Sequence, residues 1–268
     1  MSQFTVLNYG EPSLKDPVAV VGFPSVGLVG SIVSSYLARA LDLPVTAAVC
    51  SPDLPPYALV QEGRCYPPIR IYAGPLPKKR HKTAKKKDGE SGEEKTQEAK
   101  KTAPRGKKRD VVVVTSEIAP KPEQTEYIAA SLFEALDSLG VKETVCLDGM
   151  PRITAEQKGL MGLGSSDAAR KRVEDLGLTL MKDGIVRGIS GVMLYMGEHD
   201  GRDVECILCP ANPQLPDPRA AADLLPPLET IIPGLNIDPT PLTNEANEID
   251  SRMKAQMQQQ TVNHNIYG

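Results

Sequence analysis

The residues able to carry chemistry in this chain fall into a few groups. The first is a glycine-rich stretch, Gly22-Phe23-Pro24-Ser25-Val26-Gly27-Leu28-Val29-Gly30, set between a β-branched run and a helical pattern. Amides exposed at the amino terminus of such a helix can hold a phosphate. The spacing is neither G-x-G-x-x-G nor a phosphate loop ending in Lys-Ser/Thr, and no lysine stands where it would neutralise phosphate. Close packing of helix on sheet at Gly22, Gly27 and Gly30 is the preferred reading, with an anion site as the alternative.

Metal and nucleophile chemistry finds less support. Cys206 and Cys209 form C-x-x-C, but they sit in a strand pattern, where residues three apart point to opposite faces. His81, His199 and His264 lack the helical spacing of a zinc site, and Gly164-Ser165-Ser166 is not G-x-S-x-G. Glu117, Asp148 and Glu198 lie near strand or helix ends, where active sites of α/β folds occur, as do carboxylates in most such proteins. No catalytic residue, metal or cofactor is expected.

Charge is uneven. Between Lys78 and Arg109 basic residues outnumber acidic ones by about nine, while the whole chain of 268 residues carries a formal charge of −3. The basic segment lacks interleaved aromatic residues and any recognisable reading module, so nucleic-acid binding is not expected. The last three residues, Ile266-Tyr267-Gly268, follow a polar leader from Gln258 to Asn265, which presents an apolar side chain and a tyrosine to solvent.

The elements that position these groups follow a β-α-β rhythm. Val18 to Gly22 reads as a buried strand and Val26 to Leu41 as a helix. Val45 to Cys50 is the next strand, parallel to the first across a right-handed crossover. Tyr57 to Val60 and Ile69 to Tyr72 are expected to form a hairpin around Gln61-Glu62-Gly63-Arg64. Residues 76–109 are too polar to offset their ordering entropy and are read as a disordered Lys-rich insertion.

Val111 to Val114 is a buried strand, Glu123 to Leu139 a helix closed by Gly140, and Thr144 to Leu147 a further strand. Asp148 to Pro151 and Gly159 to Ser166 read as loops, and Asp167 to Leu176 as a helix ended by Gly177. Asp183-Gly184 suggests a hairpin joining Leu178–Leu180 to Ile185–Arg187. Ser190 to Glu198 is a helix, Val204 to Cys209 a strand, and Pro218 to Ile232 a helix bent at Pro226-Pro227. Leu242, Ala246, Ile249, Met253 and Met257 form one apolar stripe. The expected organisation is an α/β domain over 1–240, a carboxy-terminal amphipathic helix over 241–260 and a flexible tail over 261–268.

Composition agrees with an aliphatic α/β core: aromatic residues make up 4% and tryptophan is absent. Five cysteines, mostly inside apolar runs, and an amino terminus without signal-peptide regions suggest a reducing cytoplasm. No stretch approaches the ~20 apolar residues that cross a bilayer, so no membrane partner is expected.

Several segments in one order resemble the proteasome-assembly-chaperone family, in particular its archaeal members. They are Val20 to Gly30, Gly188 to Leu194, Pro216-Asp217-Pro218-Arg219-Ala220-Ala221 leading into Leu224-Leu225, and Ile237-Asp238 with Pro241-Leu242. The resemblance covers nearly the whole chain outside the lysine-rich insertion. It implies a three-layer α/β/α sandwich similar to nucleoside phosphorylases, without their known chemistry, and assembly into homo-oligomers. Members bearing a terminal hydrophobic-Tyr-any triplet dock between neighbouring α subunits of the proteasome core, and Ile266, Tyr267 and Gly268 match that triplet. The reading that follows is an ATP-independent assembly chaperone or activator. The alternative is an enzyme of phosphorylase-like architecture binding phosphate at the Gly22–Gly30 turn.

Overall fold

Five residues of one strand show how the molecule is layered. In β2 (Val18–Gly22), Val18 and Val20 enter one apolar cluster, whereas Ala19 and Val21 enter another on the opposite face. A strand apolar on both sides belongs at the centre of a sheet covered twice. The computed structural model describes residues 4–77, 107–154, 159–249 and 251, and within these the centre is a nine-stranded sheet.

Its strands are β1 (Thr5–Asn8), β2, β3 (Val45–Cys50), β6 (Ile69–Gly74), β7 (Val111–Ser116), β8 (Glu143–Pro151), β9 (Met161–Gly164), β10 (Thr179–Leu180) and β11 (Asp203–Ala211). They lie in the order β1-β3-β6-β7-β2-β8-β11-β9-β10. The β7-β2-β8-β11 centre is parallel, β6, β3 and β1 add antiparallel strands on one flank, and β9 pairs antiparallel with β11 on the other. A separate hairpin joins β4 (Leu59–Gln61) to β5 (Arg64–Tyr66).

Helices cover both faces. Against Val18 and Val20 pack α1 (Val29–Ala40), α5 (Pro218–Asp223) and α6 (Leu225–Ile231), through Val33, Leu37, Ala221 and Leu228. Against Ala19 and Val21 pack α2 (Pro122–Ser138) and α4 (Gly188–Asp200), through Ile128, Leu132, Ile189 and Met193. A short α3 (Asp167–Asp175) lies against β9, β10 and β11. Its start is fixed by Ser166, whose hydroxyl accepts from Ala169 N at 3.0 Å. The start of α2 carries Pro122 in its first turn, and Lys121 N donates to Gln124 Oε1 at 3.1 Å. Residues 240–249 are helical, with Leu242 and Ala246 buried, while 252–268 fall outside the described residues.

Several sequence expectations need correction. β3 runs in the same direction as β2 but is not its neighbour: β6 and β7 lie between them, and β3 hydrogen bonds antiparallel to β6 and β1. The hairpin at Glu62-Gly63 exists, but its second strand is Arg64–Tyr66, since both turn residues have positive φ (49° and 75°) and close a two-residue loop. Asp148 to Pro151 and Met161 to Gly164 are strand, held by long backbone pairing to β11. Thr179–Leu180 pairs parallel with β9, so the Asp183-Gly184 hairpin does not form. The expected bent helix over Pro218 to Ile232 is two helices meeting at Leu224. Leu76 is buried and Arg109 is bonded to Glu143, so the ends of the lysine-rich insertion belong to the folded body; 78–106 fall outside the described residues.

Candidate functional site

Strands β2, β8 and β11 all finish at one edge of the sheet, and the glycine-rich turn fills it. A Cβ on Gly22 would stand 2.0 Å from Gly30 O, one on Gly30 would stand 2.3 Å from Leu147 O, and one on Gly149 would stand 2.0 Å from Val26 O. These are backbone atoms, so any side chain would push α1 off the sheet. Gly27 has φ +64° and a Cβ there would meet Ala211 Cβ at 2.6 Å. Leu28 also adopts a left-handed conformation (φ 53°) and is 38% exposed, a strain of about 1 kcal/mol for a non-glycine residue. The turn's carbonyls and side chains serve packing and internal hydrogen bonds, and nothing in this geometry supports the phosphate-site alternative.

Below the turn lies Asp148, only 9% exposed. Burial pushes its carboxyl up from the ordinary range, and hydrogen bonds from Ser25, Ser190 and the Gly149 amide partly oppose that. Gly149 N donates to Asp148 Oδ1 at 2.7 Å and to Ser25 Oγ at 3.2 Å. Beside it, Asp217 N donates to Gly27 O at 2.8 Å, and the Asp217 carboxylate caps α5 by accepting from Ala220 N at 3.0 Å. Asn212 N and Arg152 Nη2 also donate to Asp217 Oδ2, at 3.1 and 3.3 Å.

Three of the segments singled out in the sequence thus converge. The glycine turn supplies Ser25 and Gly27, the start of α4 supplies Ser190, and the Pro216–Ala221 segment supplies Asp217. The fourth follows closely: Tyr36 of α1 donates to Asp238 O at 2.6 Å, and Arg219 donates to Asn247 Oδ1 of the 240–249 helix at 2.8 Å. Arg152, Arg219, Ala246 and Ile249 border one shallow cavity of about 140 Å³ there. This convergence fixes where the 240–249 helix sits. Ile266, Tyr267 and Gly268 lie outside the described residues.

The opposite edge of the sheet is built from charge. Arg109 donates to Glu143 at 2.8 Å, Arg172 of α3 donates to Glu205 at 2.5 Å, and Arg172 lies 2.9 Å from Asp203. Glu205 is 1% exposed. Burial, aided by nearby Glu143, pushes its carboxyl up to about 7 despite Arg172.

The three carboxylates noted in the sequence do not form one constellation. Glu117 pairs with Arg70, Glu198 pairs with Arg170, and Asp148 stands in the glycine turn's cluster. Cys206 and Cys209 enter opposite cores, and burial pushes the Cys209 thiol up to about 12. Among the described residues no group of three or more His, Cys, Asp and Glu is placed to hold a metal ion, and no helix is long and apolar enough to cross a membrane. Sequence reasoning missed the roles of Ser25, Ser190 and Asp217, although all three stood inside quoted segments; Asp217 before Pro218 was a readable cap.

Comparison with known proteins places this architecture. An uncharacterised protein of Methanocaldococcus jannaschii is 23% identical over 242 residues, covering 90% of this chain and 85% of that one. The crystal structure of Pyrococcus furiosus PbaA, an archaeal homolog of proteasome-assembly chaperone, superposes with TM-score 0.76 at 25% identity, covering 98% of this chain and 94% of that one. P. furiosus PbaB, an archaeal proteasome activator, shares the fold with TM-score 0.71 at 18% identity, covering 96% and 100%. The PAC2 family model matches residues 19–257, which include the converging segments and the sheet from Ala19 onward, without β1, and the chain belongs to the PAC2 family.

Proposed function

We propose that the protein is an ATP-independent proteasome assembly chaperone or activator, acting by docking and not by catalysis. Its partners in this reading are α subunits of the proteasome core and further copies of itself, in the cytoplasm. The observation that carries the reading is the likeness to PbaA over almost the whole of both chains, within one family.

The docking element in this proposal is the segment Ile266-Tyr267-Gly268, entering pockets between neighbouring α subunits. Ile266 buries its side chain for about 1.5–3 kcal/mol, and Tyr267 adds area and a hydroxyl hydrogen bond. The α-carboxylate of Gly268 pairs with a cation in the pocket, a contact that one appended residue removes. Fixing a peptide segment in a pocket costs conformational entropy, so one such segment binds weakly by itself. Several tails on one oligomer raise the avidity by about 10² to 10⁴ where their spacing matches the ring. The 240–249 helix, held by Arg219 at Asn247 and preceded by the Tyr36–Asp238 bond, comes before this segment in the chain.

The test compares binding of the full chain to its cognate proteasome core with that of a variant lacking residues 266–268 and one carrying an extra residue after Gly268. Both variants are expected to lose most of the binding at unchanged oligomeric mass. Equal binding by all three proteins would exclude the tail as the docking element.

A further inference from the structure

Where β3 ends, the 50–58 loop and the 65–68 segment joining β5 to β6 enclose a groove of about 470 Å³. Its walls carry Pro52, Pro55, Pro56, Pro67 and Pro68, with Tyr57 and Tyr66 among them. Tyr57 is 45% exposed, and Tyr9, 46% exposed, meets the Tyr66 ring edge-on at 5.3 Å and lengthens the run of rings. The groove is held from beneath, since Leu54 is buried in the core on the α2 side and Gln124 Nε2 of α2 donates to Asp53 O at 2.8 Å. Each proline also fixes its own φ. A site held in shape in this way loses little entropy on binding.

The hydrogen-bonding groups of this groove select its ligand. Its prolines have no N–H, Leu54 N already donates to Ser51 O at 3.2 Å, and Tyr57 N donates to Pro55 O at 2.9 Å. Cys65 and Tyr66 pair with β4. An added β-strand would therefore find few main-chain partners. Side-chain hydroxyls remain. Among the described residues those of Tyr57 and Tyr66 make no hydrogen bond, while Ser51 Oγ accepts from Asp53 N at 3.3 Å and keeps its own proton free. Charge is one-sided as well. Neither wall segment holds a lysine or arginine, and Asp53, exposed between Pro52 and Leu54, has no ion-pair partner among the described residues. Arg64 lines the neighbouring cavity, together with Arg39, Asp42 and Glu62.

We propose that this groove binds a proline-rich peptide in the polyproline II form, flanked by an arginine or lysine. Such a helix has no internal hydrogen bonds, so its carbonyls need outside donors, while its prolines bring no N–H groups that need acceptors. The tyrosine and proline rings of the groove receive the ligand's proline rings, and the hydroxyls of Ser51, Tyr57 and Tyr66 donate to its carbonyls. Asp53 takes the flanking cation. This activity goes beyond the proteasome reading and does not depend on it.

Fluorescence anisotropy of a labelled peptide, Arg-Pro-Leu-Pro-Pro-Leu-Pro, titrated with the full chain tests it. Replacing the peptide's prolines by alanine should weaken binding at least about tenfold, and exchanging its arginine for glutamate should weaken it about threefold. Tyr57→Ala is expected to cost about tenfold for the labelled peptide, with thermal melting unchanged because that side chain is half exposed. Asp53→Lys should reverse the preference between the arginine and glutamate peptides, since the main-chain bonds of Asp53 stay in place. No saturable binding below about 1 mM, or equal affinities of wild type and Tyr57→Ala, overturns the proposal. A wild type that ignores the peptide while Tyr57→Ala lowers its sedimentation mass also overturns it, and assigns the groove to a contact between copies. Deleting residues 266–268 should leave peptide binding unchanged, so failure of the docking mechanism reads separately.

Discussion

The two edges of the central sheet solve the same problem in different ways. At one edge the ends of β2, β8 and β11 are closed by backbone contact at glycines, and the buried Asp148 is surrounded by neutral donors. At the other edge the strands begin with acids, and the buried Glu205 is held by Arg172 with Glu143 and Asp203 nearby. Steric closure tolerates no added atom at any pH, because the close contacts are to backbone atoms. Charged closure tolerates some change in shape but follows pH. The converging segments sit at the first edge.

The largest effect expected from breaking this contrast is at Gly30. Gly30→Ala puts a methyl 2.3 Å from Leu147 O and should cost about 3–5 kcal/mol in urea unfolding, with a similar loss at pH 5 and pH 8.

The second prediction concerns Glu205. Its carboxyl ionises near 4.5 in the unfolded chain and at about 7 in the folded one, so within that window the native state holds a proton that the unfolded chain has released. Stability therefore falls as pH rises through the window, by about 3 kcal/mol at most. Glu205→Gln should flatten that slope, and an unchanged slope in urea titrations would show that the charged edge does not titrate as described.

The smallest effect sharpens the comparison. Asp217→Ala removes the α5 cap and the acceptor for Asn212 N and Arg152, and should cost about 2 kcal/mol in the same assay.

Much of the architecture was legible from local pattern. Val18 to Gly22 and Val111 to Val114 announce buried strands, and Gly140 and Gly177 mark helix ends, because these depend on neighbouring residues and backbone sterics. What misled was strand partnership. Gly162 and Gly164 read as loop residues, yet β9 exists because β11 pairs with it across the edge of the sheet. The Asp183-Gly184 signal was overridden because Thr179–Leu180 found β9 as its partner.

The same division holds for the candidate sites. By itself the sequence determined the glycine spacing at Gly22, Gly27 and Gly30, the opposed faces of Cys206 and Cys209, and the Ile266-Tyr267-Gly268 triplet, since each is a matter of residue type and spacing along one chain. Only the tertiary structure decided that Ser25, Asp148, Ser190 and Asp217 meet at one edge and that Glu205 is buried beside Arg172. Those are relations between segments distant in sequence, and they are fixed by which strands pair and which helix faces are covered.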